Sequence, residues 1–332
     1  MLCLQIFSQV LEFMTDNDNK RLGIFKKYAA HLQFLRDNGL LVIDIKYPET
    51  YICPLFVRQF SEDALVQTSE NPLTLEDAPP KSLGGKANVL TCRECNNIAG
   101  QKIDWHLTAR MNELDQYGFV PGVEFYPEFD NDGLIVQGAI KVSGEGEIIA
   151  NHAKKKNDPV KLNKYVASTG AEDLINIKFR DSKVDIFRLQ LALLKVAYLL
   201  TFEKFGYSFL LYNVYDRLRE QLRTPEVEIY PVESWFHAEY YKAYQGIPFI
   251  TGKGLEGILP IFVLNTGLTE RTFAFILPLI NKPIEELLAQ FKAALKVHGG
   301  FNAKMDAMTG ADYLFDDLAI NQMLQWMNKI DS

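Results

Sequence analysis

The chain has 332 residues, 48% of them hydrophobic and 23% charged, with a formal net charge of −7. That is the make-up of a folded globular protein of two domains, or of one large domain with insertions. The negative balance excludes a global pull toward nucleic acid, so any such binding needs a local basic patch. Four cysteines exclude a disulfide scaffold, and a Cys-x-x-Cys pair in such a chain points to metal or redox chemistry in a reducing compartment. The opening residues Met1 to Phe7 lack a basic segment and a small-residue cleavage site. The apolar run Leu189–Leu200 is short and interrupted by Lys195. The expectation is a cytoplasmic protein with no membrane partner.

Residues 1–50 read as a helical leader. Leu4, Phe7, Val10, Leu11 and Met14 recur at helical spacing over 3–15. A second helix fits 20–37, with Leu22, Phe25, Tyr28, Leu32 and Leu35 on one face and Asn38-Gly39 at its end. Leu40–Ile45 is of strand type. Cys3 and His31 belong to this leader and carry no site role.

The stretch 51–115 is the most distinctive. Leu73–Asp77 reads as a strand, Pro79, Pro80, Gly84 and Gly85 as a loop, and Asn88–Thr91 as a second strand. From Cys92 the chain turns into a helix reaching about Leu114. The order is strand, loop, strand, helix. Cys53 stands alone upstream of Cys92 and Cys95, and Glu76 and Asp77 are adjacent carboxylates.

Residues 116–332 read as an α+β domain of unknown function. Val120–Phe129 and Leu134–Val142 are strand-like, with Asn131, Asp132 and Gly133 as a hairpin turn. Asn151–Lys164 is the most basic stretch, and Lys154, Lys155 and Lys156 serve either as a solvated face or as phosphate contacts. Leu174–Phe179 is a further strand. Val184–Phe205 is a buried helix and Tyr212–Arg223 continues helical. Val227–Val232, Trp235–Tyr240, Ile258–Asn265 and Arg271–Leu279 read as strands. Helices Ile284–Val297 and Ala311–Met327 close the chain. Gly252, Gly254 and Gly257 have no helix after them, so they form no dinucleotide fingerprint.

Residues 51–110 resemble the HNH endonucleases, which have a ββα-metal fold. The likeness rests on the Pro-x-x-Leu-Gly-Gly loop over Pro80–Gly85 and the Leu-Thr-Cys-x-x-Cys-Asn-Asn helix start over Leu90–Asn97, as in a bacterial subgroup. The overall expectation is therefore α+β, with an HNH-like module between the leader and a larger domain. The resemblance implies a metal-dependent endonuclease hydrolysing phosphodiester bonds, DNA rather than RNA, of a kind that serves anti-phage defence. It makes Glu76 and Asn96 ligands of a catalytic Mg²⁺ or Mn²⁺ and places Asp77 at the general-base position. Asn88 becomes the residue that braces the loop, and Cys53, Cys92 and Cys95 become zinc ligands.

Two departures qualify that expectation. The knuckle's second cysteine falls at Phe56, so structural zinc is one ligand short. Asp77 replaces a histidine, and a free Asp with a pKa of about 3.9 is a weaker base than His at about 6.5. General-base catalysis is typically worth roughly 10²–10⁴-fold. Asp77 is then a poor base, a second metal ligand, or part of a degenerate site. The competing reading is an impaired module that binds nucleic acid or a partner protein. Lys81 and Lys86 are the candidate phosphate contacts on the loop. Asp104 and His106 lie further along the helix as weaker candidates, more readily structural than catalytic.

Overall fold

The computed structural model describes residues 15–170, 172–252, 255–298, 304–306 and 310–329. The first leader helix and Cys3 lie outside the described residues.

Helix α1 spans Asp16–Asp37. It starts four residues before the helix read from spacing, because Thr15 and Asp18 form a reciprocal capping box. Its buried face carries Phe25, Tyr28, Leu32 and Leu35. Residues 40–45 are irregular rather than a strand, since no strand among the described residues pairs with them. Strands β1 (Tyr51–Ile52) and β2 (Gln59–Phe60) then form a small antiparallel hairpin around the Cys53 turn.

Strands β3 (Leu73–Ala78) and β4 (Lys86–Cys92) pair antiparallel, with a bulge where Glu76 faces Val89 and Asp77 faces Ala87. The extra residue on β4 is Asn88. Helix α2 (Arg93–Ala99) follows at once, then a π-turn over Gly100–Asp104, then helix α3 (Trp105–Tyr117). The buried residues Cys95, Ala99, Ile103, Leu107 and Met111 recur every fourth position. In a pure α-helix each such step overshoots a full turn by about 40°. The wider π-turn absorbs part of that drift and keeps the stripe on the core.

The next segment is a curved sheet. Strand β7 (Leu134–Val142) pairs with β5 (Glu124–Phe125), β6 (Glu128–Asn131) and β8 (Ile148–His152), and β6 also pairs with β9 (Asn176–Lys178). The single strand expected over 120–129 is thus two short ones. Helix α4 (Pro159–Ser168), capped by Asp158, buries Tyr165 in a small core with Val123, Phe125, Phe129, Val136 and Ile140.

Helix α5 (Ile186–Phe205), short helix α6 (Tyr207–Leu210) and helix α7 (Asp216–Arg223) follow. Strands β10 (Trp235–His237), β14 (Glu270–Phe275) and β13 (Ile261–Asn265) make one sheet; β12 (Leu255–Ile258), β11 (Phe249–Gly252) and β15 (Met305–Asp306) make another. The run 258–265 breaks at Leu259-Pro260, where proline cannot donate to a ladder. Residues 227–232 form no strand. Helices α8 (Ile284–His298) and α9 (Asp317–Lys329) complete the described chain. Helix α9 starts six residues later than the sequence pattern suggests.

The protein is therefore a mixed helix-and-sheet structure, and its core does not follow the divisions at 50 and 115. One cluster joins Phe25 and Leu32 of α1, Cys53, Leu90, Leu107 and all of the buried face of α5. Among the described residues a separate, smaller core joins Val123, Phe125, Phe129, Val136, Ile140, Val142 and Tyr165, with Phe119 and Phe179 packed against it. Tyrosine hydroxyls tie the pieces together across long chain separations. Tyr51 donates to the Leu90 carbonyl at 2.7 Å, Tyr198 to that of Pro54 at 3.1 Å, and Tyr207 accepts from the Ile52 N–H at 2.8 Å. Among the described residues no helix is long and apolar enough to cross a membrane.

Candidate functional site

The loop between β3 and β4 explains its two glycines. Gly84 sits at φ +82, a left-handed conformation that favours glycine, and ends a 3₁₀ turn over Lys81–Leu83. A Cβ on Gly85 would lie 1.5 Å from the Pro79 carbonyl oxygen, so no side chain fits. This tight turn holds the end of β3 against the start of β4. Lys81 and Lys86 flank it and are exposed.

Glu76 points inward and is 3% exposed. Its Oε2 accepts a hydrogen bond from Thr91 Oγ1 at 3.0 Å, and its Oε1 lies 2.7 Å from Lys195 Nζ. The same ammonium group lies 2.7 Å from Asp104 Oδ2. Lys195 comes from the middle of α5 and is fully buried, and the Asp104 side chain is 18% exposed. Burial opposes the charge on Lys195, but Asp104 and Glu76 outweigh it and hold the ammonium above its ordinary range. Burial pushes the Glu76 carboxyl up against the pull of Lys195. The expected metal ligand Glu76 is thus one arm of a buried ion cluster, and its partner is a lysine that spacing did not mark as a site residue. A lone lysine in Leu191–Leu200 was the available clue, since a charge on an otherwise apolar helix must find partners when buried.

The other expected residues do not gather at one point. Asn96 Nδ2 donates to Thr74 Oγ1 at 2.9 Å and to the Leu75 carbonyl at 3.0 Å, clamping the helix start to β3 one residue short of Glu76. Asp77 is half-buried, and among the described residues no hydrogen bond reaches its carboxylate. Burial pushes its carboxyl up, while Lys81, Lys20 and Lys195 pull it down. Asn88 makes no hydrogen bond across the loop among the described residues. It faces a cleft of about 440 Å³ lined also by Gly84, Gly85, Lys86, Lys27 of α1 and Glu203 of α5.

His106 is buried, and its Nδ1 accepts from the Asp185 N–H at 3.0 Å, which anchors the start of α5. Burial lowers its pKa, and its ring centroid lies 3.8 Å from that of Trp105. That position is structural. His106 touches neither Glu76 nor Asp77. Lys154, Lys155 and Lys156 are exposed on a turn after β8, in the unit with the separate core, and Lys156 lies 4.2 Å over the Tyr126 ring.

The three cysteines do converge. Cys53, Cys92 and Cys95 are buried, with sulfurs within 4.8 Å of one another, and the Cys92 N–H points to the Cys53 sulfur at 3.4 Å. Hydrogen bonds from Cys53 and Cys95 favour the thiolate of Cys92, whereas burial pushes the Cys53 thiol up to about 12. Among the described residues this is the one set of three His, Cys, Asp or Glu side chains close enough to hold a metal. These residues would hold a zinc ion in three of its four positions and would fix the knuckle to the helix start; the set is one donor short. An all-oxygen set at Glu76, Asp77 and Asn96 is not assembled.

No family model, curated protein or solved structure matches this chain.

Proposed function

We propose that the chain is a nucleic-acid-binding protein of HNH-like build, in which an internal ammonium group takes the place of the catalytic cation. The observation that carries this reading is Lys195 Nζ at 2.7 Å from both Glu76 Oε1 and Asp104 Oδ2. A divalent ion in an HNH-type centre neutralises carboxylates at the end of the first strand. Here a lysine supplies the positive charge, and Asp77 replaces the base. The grip on nucleic acid comes from a local basic edge. Lys20 and Lys81 both act on Asp77, and Lys27 and Lys86 share the cleft beside Asn88. None of these four lysines has an ion-pair partner among the described residues. This edge supplies the local patch that a chain of net charge −7 requires.

Binding of this kind is to phosphates and is salt-dependent. Changing Lys81 and Lys86 together to Gln should reduce the slope of log affinity against log salt on duplex DNA by about 0.9 per lysine. The purified protein should leave plasmid, single-stranded DNA and RNA intact in Mg²⁺ and Mn²⁺. An unchanged salt slope in the double variant removes this reading.

A second reading, an active endonuclease, has two observations in its favour. Asp77 is unbonded among the described residues, and Asp104 Oδ1 is buried without a partner. Two carboxylate oxygens and retained waters suit Mg²⁺. Mg²⁺-dependent cleavage that disappears in Asp77→Asn establishes the second reading over the first.

A further inference from the structure

The sulfur centre departs from a zinc knuckle in a way that selects a different ion. Cys53 begins a turn closed by Val57 N–H to the Cys53 carbonyl at 2.8 Å and by Cys53 N–H to the Arg58 carbonyl at 3.0 Å. In a Cys-x-x-Cys knuckle the second sulfur comes from the third residue after the first. Here that residue is Phe56. The Arg58 guanidinium lies 3.7 Å from the centroid of the Phe56 ring and that of Arg223 4.8 Å from it. A phenyl ring offers no lone pair, so position 56 supplies no fourth donor. Cys53 and Cys92 are sealed from solvent and Cys95 is 3% exposed.

Structural zinc is almost always four-coordinate. Thiolate sulfur also selects Cu(I), a soft ion with no preference imposed by d-electrons, which is satisfied by three sulfur ligands in a plane. We infer that Cys53, Cys92 and Cys95, whose sulfurs lie within 4.8 Å of one another, form a trigonal thiolate site for a soft, three-coordinate ion of the Cu(I) class. Tetrahedral zinc is the weaker ligand of the same site. Binding displaces the thiol protons to solvent and changes no oxidation state. The inference stands whether or not the chain binds nucleic acid.

The test uses the full chain, reduced and metal-free, under anaerobic conditions. Cu(I) is titrated against a chromogenic Cu(I) chelator, Zn²⁺ against a colorimetric zinc chelator, and X-ray absorption counts the sulfur neighbours. The expected result is one Cu(I) per chain with three sulfur neighbours, and zinc lost to a chelator of moderate strength. Phe56→Cys should restore the fourth donor and raise zinc affinity on the order of 100-fold. Phe56→Ala removes the ring without adding sulfur and should leave zinc weak. Should Phe56→Cys fail to fold, the Phe56→Ala and native titrations still decide. Zinc held in a four-coordinate site by the native protein overturns the inference. So does failure to bind Cu(I) while three free thiols remain titratable, or a disulfide within the trio in the freshly reduced protein.

Discussion

Replacing Lys195 by Met probes the buried ion cluster while keeping most of the side-chain volume. Lys195 is 0% and Glu76 3% exposed, so water has little access to the Glu76 carboxylate once the ammonium group is lost. Glu76 would keep only its bond from Thr91, and Asp104 would keep none at either oxygen, since Oδ1 already lacks a partner. Breaking a buried pair from one side costs about 3–5 kcal/mol. Urea unfolding followed by tryptophan fluorescence should show that loss at pH 8. The loss should narrow as pH falls. Burial already raises the folded-state pKa of Glu76, and removing Lys195 raises it further. The folded variant then binds a proton that the unfolded chain has released, so its penalty is complete above the folded pKa and fades below it. Adding Glu76→Gln and Asp104→Asn to Lys195→Met should recover part of the stability. A loss below about 1 kcal/mol, or one equal at pH 5 and pH 8, contradicts a buried, ionised cluster.

Gly85→Ala should cost at least about 3 kcal/mol or prevent folding, because its Cβ meets rigid backbone at 1.5 Å. Gly100→Ala is the control: nothing lies within 4 Å, its φ is −63, and the change should stabilise by about 0.5–1 kcal/mol in the same unfolding assay. Asp115 accepts from Thr266 Oγ1, Thr269 Oγ1 and Arg271 Nη2 at 2.6 Å each, tying α3 to the turn between β13 and β14. Burial raises its carboxyl, but these bonds prevail and hold it below the ordinary value. Its contribution is therefore complete above the unfolded-state pKa and lost as pH falls through the folded one. Asp115→Asn should destabilise at pH 7 and lose that difference in acid, as read by thermal melts across pH.

Local spacing determined much of this protein. Strands near 73–77 and 88–91 and the helix after Cys92 were legible from the residues, while the closeness of Cys53 to Cys92 and Cys95 followed only from the resemblance to the HNH endonucleases. The strands and the helix rest on short-range rules, turn residues and alternation, and the Cys-x-x-Cys turn brings only Cys92 and Cys95 together. In the sequence the helix after Cys92 reads as one unbroken element, and the π-turn over Gly100–Asp104 was not foreseen. What the linear pattern could not supply were pairings chosen by distant segments. Glu76 and Lys195 are 119 residues apart, and Asp104 and Lys195 are 91 apart. A carboxylate at a strand end reads equally as a metal ligand or as half of an ion pair. Only the helix that packs over it decides. The same holds for the core, since α5 is apolar enough to pack on several neighbours and tertiary packing laid it against α1, β1, β3, β4 and α3. Electrostatics in a sealed interior then left the Glu76 carboxylate bonded to an ammonium group.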